Sequence, residues 1–271
     1  MADSSVAYEV ETFDATDVTC LYQPIIRLRD SRPIAAEVLA RRRGQTGSLL
    51  GPETFKSALY EGESARRLTN FVVQAIIHDI MAGYLRAAPL IYAINLPLDV
   101  LMQPDLLERI DYFRAQAGID PPKVSFELTE TRPIRDFERA AAVITSLRQR
   151  GYRVALDDVS PATEALDSLF ELPFSTVKLD RSVIGTFGRD PSVETFVVDV
   201  VRRAKRLHCN LVAEGIEDSL VLDTLFALGV GYAQGFVLAR PMPGVDLQCW
   251  FTDWQSDPPK IQPHPQITVA F

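Results

Sequence analysis

The chain has 271 residues, 47% of them apolar and 24% charged, and a net charge of −8. That is apolar material for one sizeable core, at a length close to the roughly 250 residues of a single (β/α)₈ barrel. The acidic balance argues against a general surface for a nucleic-acid polymer, which is basic as a rule. A small phosphate ester can still be bound through intervening cations. Cys20, Cys209 and Cys249 are odd in number and lack metal-ligand spacing, which reads as reduced thiols. The N-terminus shows no basic segment followed by an apolar one, and the apolar run Phe71 to Ile77 is too short to span a bilayer. A cytoplasmic protein without a membrane span is expected.

Residues 1–17 are polar and without sustained period, and read as a lead-in. Strands are predicted at Thr19–Leu28, Pro33–Ala40, Leu90–Leu96, Lys123–Leu128, Arg153–Asp158, Thr176–Leu179, Asn210–Glu214 and Tyr232–Leu238. Helices are predicted within Pro52–Arg86, as two pieces, and at Leu98–Gln116, Asp136–Arg150, Val193–Leu207 and Ser219–Leu228. In Val193–Leu207 the apolar residues Phe196, Val197, Val200, Val201, Ala204 and Leu207 form one helical stripe. Gly151 and Gly229 follow helices directly, as helix-ending glycines do. Residues 253–271 are proline-dense and read as a tail, leaving 18–252 as the domain.

From Leu90 onwards strand and helix alternate, the order of a parallel sheet covered by helices. Only Arg29 to Arg32 separate the first two strands, whereas a parallel pair needs a crossover of about a dozen residues. The first strand is therefore expected to be antiparallel, in a TIM-like barrel of the α/β class.

Polar residues interrupt these apolar strands at or near their carboxyl ends: Glu37, Asn95, Glu127, Asp157 with Asp158, Lys178, Glu214 and Gln234. In a barrel those ends converge on the mouth where active sites of this architecture lie. Taken singly, each has a bland reading as a helix cap or rim residue, and Asn95 in particular could cap Leu98–Gln116. Together, five carboxylates at one mouth repel one another and call for a cation. Hard oxygen ligands without a His or Cys set suit Mg²⁺, Mn²⁺ or Ca²⁺ better than Zn²⁺. Adjacent Asp157 and Asp158 can serve two metals, a recurring device in phosphodiester hydrolysis. Lys178 beside them suits orienting the nucleophile. His78, His208 and His264 carry no catalytic signal, and the sequence leaves open whether Trp250 and Trp254 belong to a core or an interface.

In order and spacing these landmarks resemble the EAL domain family of bacterial cyclic-di-GMP phosphodiesterases, from Tyr22-Gln23-Pro24 to Gln234-Gly235. Between them stand Glu37-Val38-Leu39 with Arg41, Asn95, Glu127-Leu-Thr-Glu130, Asp157-Asp158, Lys178-Leu-Asp180 and Ala213-Glu214-Gly-Ile-Glu217. The resemblance implies hydrolysis of cyclic di-GMP to linear pGpG with Mg²⁺ or Mn²⁺, Ca²⁺ being inhibitory. It makes Glu37, Asn95, Glu127 and Asp157 ligands of one metal, with Asp158 serving the second. Glu214 binds or orients metal-bound water, and Lys178 addresses the nucleophile. Arg41, Gln23, Leu39 and Gln234 form the substrate-binding set, while Glu130 and Asp180 support the loop after the paired aspartates. A homodimer formed near that loop, and a regulatory domain or partner protein, are also implied.

Val38 stands where the family signature has Ala, and Pro97 where a Ser is usual. The larger departure is Val159-Ser160-Pro161-Ala162-Thr163-Glu164-Ala165-Leu166, where the family reads Phe-Gly-Thr-Gly-Tyr-Ser-Ser-Leu. Pro161 fixes φ and both glycines are gone, so a different loop path is expected. The altered loop points to a binding module that holds cyclic di-GMP without cutting it. The intact set of polar strand ends points to an enzyme, and a scaffold that ignores nucleotides has no use for that set.

Overall fold

A computed structural model describes residues 17–259 apart from 45, 56–61, 86–87, 103–105, 130–133 and 135, and leaves the side chains at 62, 63, 99, 113 and 129 undescribed. The strands are β1 Val18–Arg27, β2 Arg32–Arg43, β3 Leu49–Leu50, β4 Ile91–Pro97, β5 Val124–Thr129, β6 Arg153–Val159, β7 Thr176–Leu179, β8 Asn210–Ala213 and β9 Tyr232–Ala233. They follow the order β1-β9-β8-β7-β6-β5-β4-β2-β3, and a β1–β2 pairing closes eight of them into a barrel with β3 appended to β2. Strand β1 is antiparallel to both β2 and β9, and the pairs from β2–β4 through β8–β9 are parallel. The four-residue link between β1 and β2 permits no other arrangement.

The outward faces of the strands carry the core. Ile94, Leu96, Phe126, Leu128, Val154, Leu156 and Val177 are buried in one continuous apolar cluster shared with the helices. The helix Pro191–Leu207 shows why the pattern was readable: Val193, Val197, Val200, Val201 and Ala204 form its buried stripe. It starts two residues earlier than its apolar period, because Asp190 accepts a hydrogen bond from Ser192 N and Pro191 fits the first turn.

Some elements differ from expectation. The region Pro52–Arg86 holds a 3₁₀ turn at Pro52–Phe55 and one helix at Gly62–Met81. Helices at Leu98–Leu101 and Leu106–Gln116 stand in place of one. The last strand, expected to reach Leu238, ends at Ala233. There the chain turns because Gly235 packs onto the backbone of Ile216, where a Cβ would lie 2.1 Å from the Ile216 oxygen. Short helices at Leu166–Leu169 and Arg181–Thr186 went unread. So did the helix Gly244–Ser256, which runs through residue 252, and whose Trp254 donates from Nε1 to Ser31 O at 2.6 Å. No helix among the described residues is long and apolar enough to cross a membrane.

The close approach at Gly235 sets a test. Gly235→Ala is expected to destabilise the fold by about 1–3 kcal/mol, the usual cost of overpacking a tight contact. Urea unfolding measures this, and an unchanged midpoint would show that the β8 and β9 ends are not held by this contact.

Candidate functional site

Side chains two apart on a strand share a face, and that period aims one polar residue from each barrel strand into the mouth at the carboxyl ends of the parallel strands. Gln23 comes from β1, Glu37 from β2, Asn95 from β4, Glu127 from β5, Asp157 from β6 and Lys178 from β7. Glu214 and Gln234 stand one residue beyond β8 and β9. The register places Gln23 opposite Glu37 and Asn95 opposite Glu127.

Their hydrogen bonds form one chain. Asn95 Nδ2 donates to Glu37 Oε1 at 2.8 Å, and Gln234 Nε2 donates to Glu37 Oε2 at 2.6 Å. The same Gln234 nitrogen donates to Gln23 Oε1 at 2.9 Å, while Gln23 Nε2 donates to Ala239 O at 3.0 Å. Both ends of the Gln23 amide are thus engaged inside the protein.

Lys178, 1% exposed, occupies the centre. Its Nζ lies 2.5 Å from Glu214, 2.7 Å from Glu127, 3.0 Å from Asp157 and 3.8 Å from Glu37. One ammonium can offset one unit of charge among these four carboxyl groups. Burial works against the lysine's charge, but the surrounding carboxylates outweigh it and hold Lys178 well above its ordinary pKa. Burial, with the neighbouring carboxylates, pushes Glu127, Asp157 and Glu214 upward. Glu37 is buried too, yet Lys178 and the two amide hydrogen bonds bring it below its ordinary value.

The uncompensated charge has a location. Asp157, Asp158 and Glu214 each offer a carboxylate oxygen within 4.8 Å of the others. Asp157 Oδ1 and Glu214 Oε1 are buried, with Lys178 Nζ as their contact at 3.0 and 2.5 Å. Buried acceptors of this kind suit a hard divalent cation. The donor set therefore fits the metal expected from the sequence.

Asp157 and Asp158 both reach this point because β6 carries one extra residue against β7. The register passes from Leu156↔Val177 to Val159↔Leu179, which is a β-bulge. Asp158 takes up the distortion with φ +54°, and burial together with Asp157 and Asp180 pushes its carboxyl up to about 6. The following loop takes the left-handed conformation again at Ala165, φ +48°. Neither Asp158 nor Ala165 is at 160 or 162, where the family pattern has glycine. The turn closes through Thr163, whose Oγ1 accepts from Ser160 N at 2.9 Å.

The other expected residues lie apart from this network. Arg41 is half-buried on β2 and donates to Ala40 O at 2.8 Å. Leu39 is half-buried on the same strand. Asp180 caps the helix Arg181–Thr186 by accepting from Ser182 N, and its own N–H holds Val159 O at 3.0 Å. Glu130 lies outside the described residues. The structure adds Phe236 and Arg240, unread in the sequence: Phe236 is 48% exposed and the guanidinium of Arg240 stands 4.4 Å from its ring centre. An aromatic residue directly after Gln234-Gly235 was the available signal.

The EAL domain model matches residues 10–241. RocR of Pseudomonas aeruginosa, named a cyclic di-GMP phosphodiesterase, is 33% identical over 243 residues, 88% of this chain and 61% of that protein. The EAL domain of Mycobacterium smegmatis DcpA superposes with a TM-score of 0.72 at 26% identity, over 87% of this chain and 98% of that one. Klebsiella pneumoniae BlrP1, solved as a calcium and cyclic-di-GMP complex, superposes with a TM-score of 0.72 at 25% identity, over 86% of this chain and 58% of that one. The chain spans 31%, 46% and 61% of three curated relatives that it matches.

The charge imbalance makes a measurable claim. Lys178→Met in chelator leaves buried carboxylates without their cation and is expected to cost about 3 kcal/mol, a melting shift of roughly 6–12 °C. Mg²⁺ is expected to raise the variant's midpoint more than the wild type's. Equal Mg²⁺ shifts in a melting assay would show that ammonium and metal do not neutralise the same charges.

Proposed function

The chain belongs to the EAL domain family, and on that premise we propose that it is a metal-dependent phosphodiesterase that opens cyclic di-GMP to linear pGpG. The observation that carries the reading is the convergence of Glu37, Asn95, Glu127, Asp157, Asp158, Lys178, Glu214 and Gln234 at one mouth of the barrel. A water oxygen attacks phosphorus in line with the departing ribose oxygen; one P–O bond forms and one breaks.

Glu37, Asn95, Glu127 and Asp157 would hold one Mg²⁺ or Mn²⁺, with Asp158 serving a second. Such ions supply Lewis-acid charge neutralisation and acidify bound water. Ca²⁺, larger and looser in its geometry, is proposed to occupy the same site without supporting turnover.

The protein's own groups do the rest. Lys178 Nζ, within 3.0 Å of Glu127, Asp157 and Glu214, addresses the attacking water or the negative charge that develops on the phosphoryl oxygens. Glu214, held against Lys178 at the mouth, accepts from that water and orients it. Gln23 and Gln234 fix the rotamer of Glu37, so Gln23 acts here as a positioning residue. Arg41 clamps a substrate phosphate; its bond to a neutral carbonyl leaves its charge free for an anion. Phe236 offers an exposed aromatic face to a guanine. A homodimer through the face beside loop 159–166, and a regulatory domain or partner protein, rest on the family resemblance alone.

The second reading is a receptor that binds cyclic di-GMP without cleaving it, and the observation that favours it is the left-handed Asp158 leading into a loop without glycine. Chromatography of the products formed from cyclic di-GMP with Mg²⁺ or Mn²⁺ decides between the two. The wild type is expected to yield linear pGpG. Glu37→Ala, or excess chelator, is expected to reduce the yield to below about a hundredth. Tight binding with no product in either metal would establish the receptor.

A further inference from the structure

The opposite mouth of the barrel opens into a cavity of about 900 Å³ whose upper end reaches Glu127. The same period of two that places the catalytic side chains explains it. Two residues below Glu37, Asn95, Glu127, Asp157 and Lys178 stand Ala35, Ala93, Ser125, Ala155 and Thr176, all lining the cavity. A barrel of this type ordinarily fills that layer with Val, Ile and Leu. Here Ile25, Val212 and Tyr232 supply bulk on one side, and the small residues, with Ala35, Ala93 and Ala155 only 2–5% exposed, form the narrow inner end of the cavity. The volume lies within the roughly 300–1,000 Å³ of small-molecule sites.

The mouth has its own chemistry. Arg27 and Asp30 neutralise one another through contacts of 2.9 and 2.7 Å. Lys123 donates to Pro89 O at 2.9 Å and Arg153 to Pro122 O at 3.2 Å. Those carbonyls are neutral, so both cations keep their charge, and exposed Arg32 adds a third. Phe251 and Trp254 of the last helix bring aromatic surface to the same opening. A cavity that mixes alanines with Ser125, Thr176 and Asn210, and carries aromatic residues and a cationic rim at its opening, suits a ligand with a flat aryl body and an anionic head.

We propose that this cavity is a second binding site, for a small aryl anion such as an aromatic carboxylate, sulfonate or phosphate. The aryl body points from the mouth toward Ala35, Ala93 and Ala155, and the anion faces Arg32, Lys123 and Arg153. Glu127 is shared: its carboxylate holds Lys178 at 2.7 Å above and closes the cavity below. The site thus reaches the reaction centre from beneath without occupying the substrate's mouth.

Anilinonaphthalene sulfonate, an aryl anion that fluoresces when it leaves water, is the probe. Titrated into the full chain with Mg²⁺ present, it is expected to bind saturably at one site. Arg153→Ala is expected to weaken binding roughly fivefold, and Ala155→Phe, which fills the bore, to abolish it. Excess cyclic di-GMP is expected to leave the dye in place. Displacement by cyclic di-GMP, non-saturable binding, or unchanged affinity in folded Ala155→Phe would each overturn the proposal. If circular dichroism shows that Ala155→Phe does not fold, Ala35→Leu takes its place, and unchanged dye affinity there overturns the proposal equally.

Discussion

Four carboxylates cannot share the dry bore of a barrel without a cation among them, and Lys178 is the cation the chain carries for itself. Its position depends on everything around it. Strand β7 contributes only four paired residues, but β5, β6 and the end of β8 bring Glu127, Asp157 and Glu214 within 3.0 Å of one nitrogen. In a medium of low dielectric such contacts are strong, and so is the penalty for an unpaired charge. The lysine can offset one unit of charge only. In the proposed reading the remainder draws divalent ions and then a phosphate diester, so one electrostatic shortfall underlies the proposed chemistry.

The amides solve a different problem. A carboxylate meant to hold a metal must be fixed in direction as well as in place. Glu37 receives Asn95 on one oxygen and Gln234 on the other, and Gln234 is itself tied to Gln23. The paired aspartates are fixed by the backbone instead, through a bulge that a left-handed Asp158 makes possible. Asp is among the few residues other than glycine that visit that conformation readily, so the proposed ligand and the hinge are the same residue. Ala165 lacks that compensation, and its conformation rests on the surrounding turn.

Much of this was legible in the sequence, for identifiable reasons. Glu37, Asn95, Glu127, Asp157 and Lys178 each interrupt an apolar run at the same phase, and a four-residue link between the first strands fixes their direction. Phase says nothing about partners, so the contact between Gln23 and Gln234, 211 positions apart, could not be read. The end of β9 was misplaced because Phe236, Val237 and Leu238 continue its apolar character; what stops it is the approach of Gly235 to Ile216, a tertiary event. The short helix Arg181–Thr186 is too brief for any period to show and is announced only by its cap, Asp180. The alanines beneath the site read as ordinary strand residues until closure of the barrel set them facing one another.

Strand β9 is held to the barrel by very little. It pairs with β1 through Ile26↔Ala233 and Arg27↔Tyr232, and with β8 through Val212↔Tyr232 and Ala213↔Ala233. By contrast, β1 and β2 share ten pairs. If the barrel breathes, this is its seam. Amides on either side of β9 should exchange with solvent through local opening long before those of β4 to β6. Gln234 stands at the upper end of that seam and Tyr232 at the lower, so a single fluctuation would loosen the grip on Glu37 and widen the cavity together. The two mouths are then joined by a shared line of weakness, and whatever stiffens one of them steadies the other.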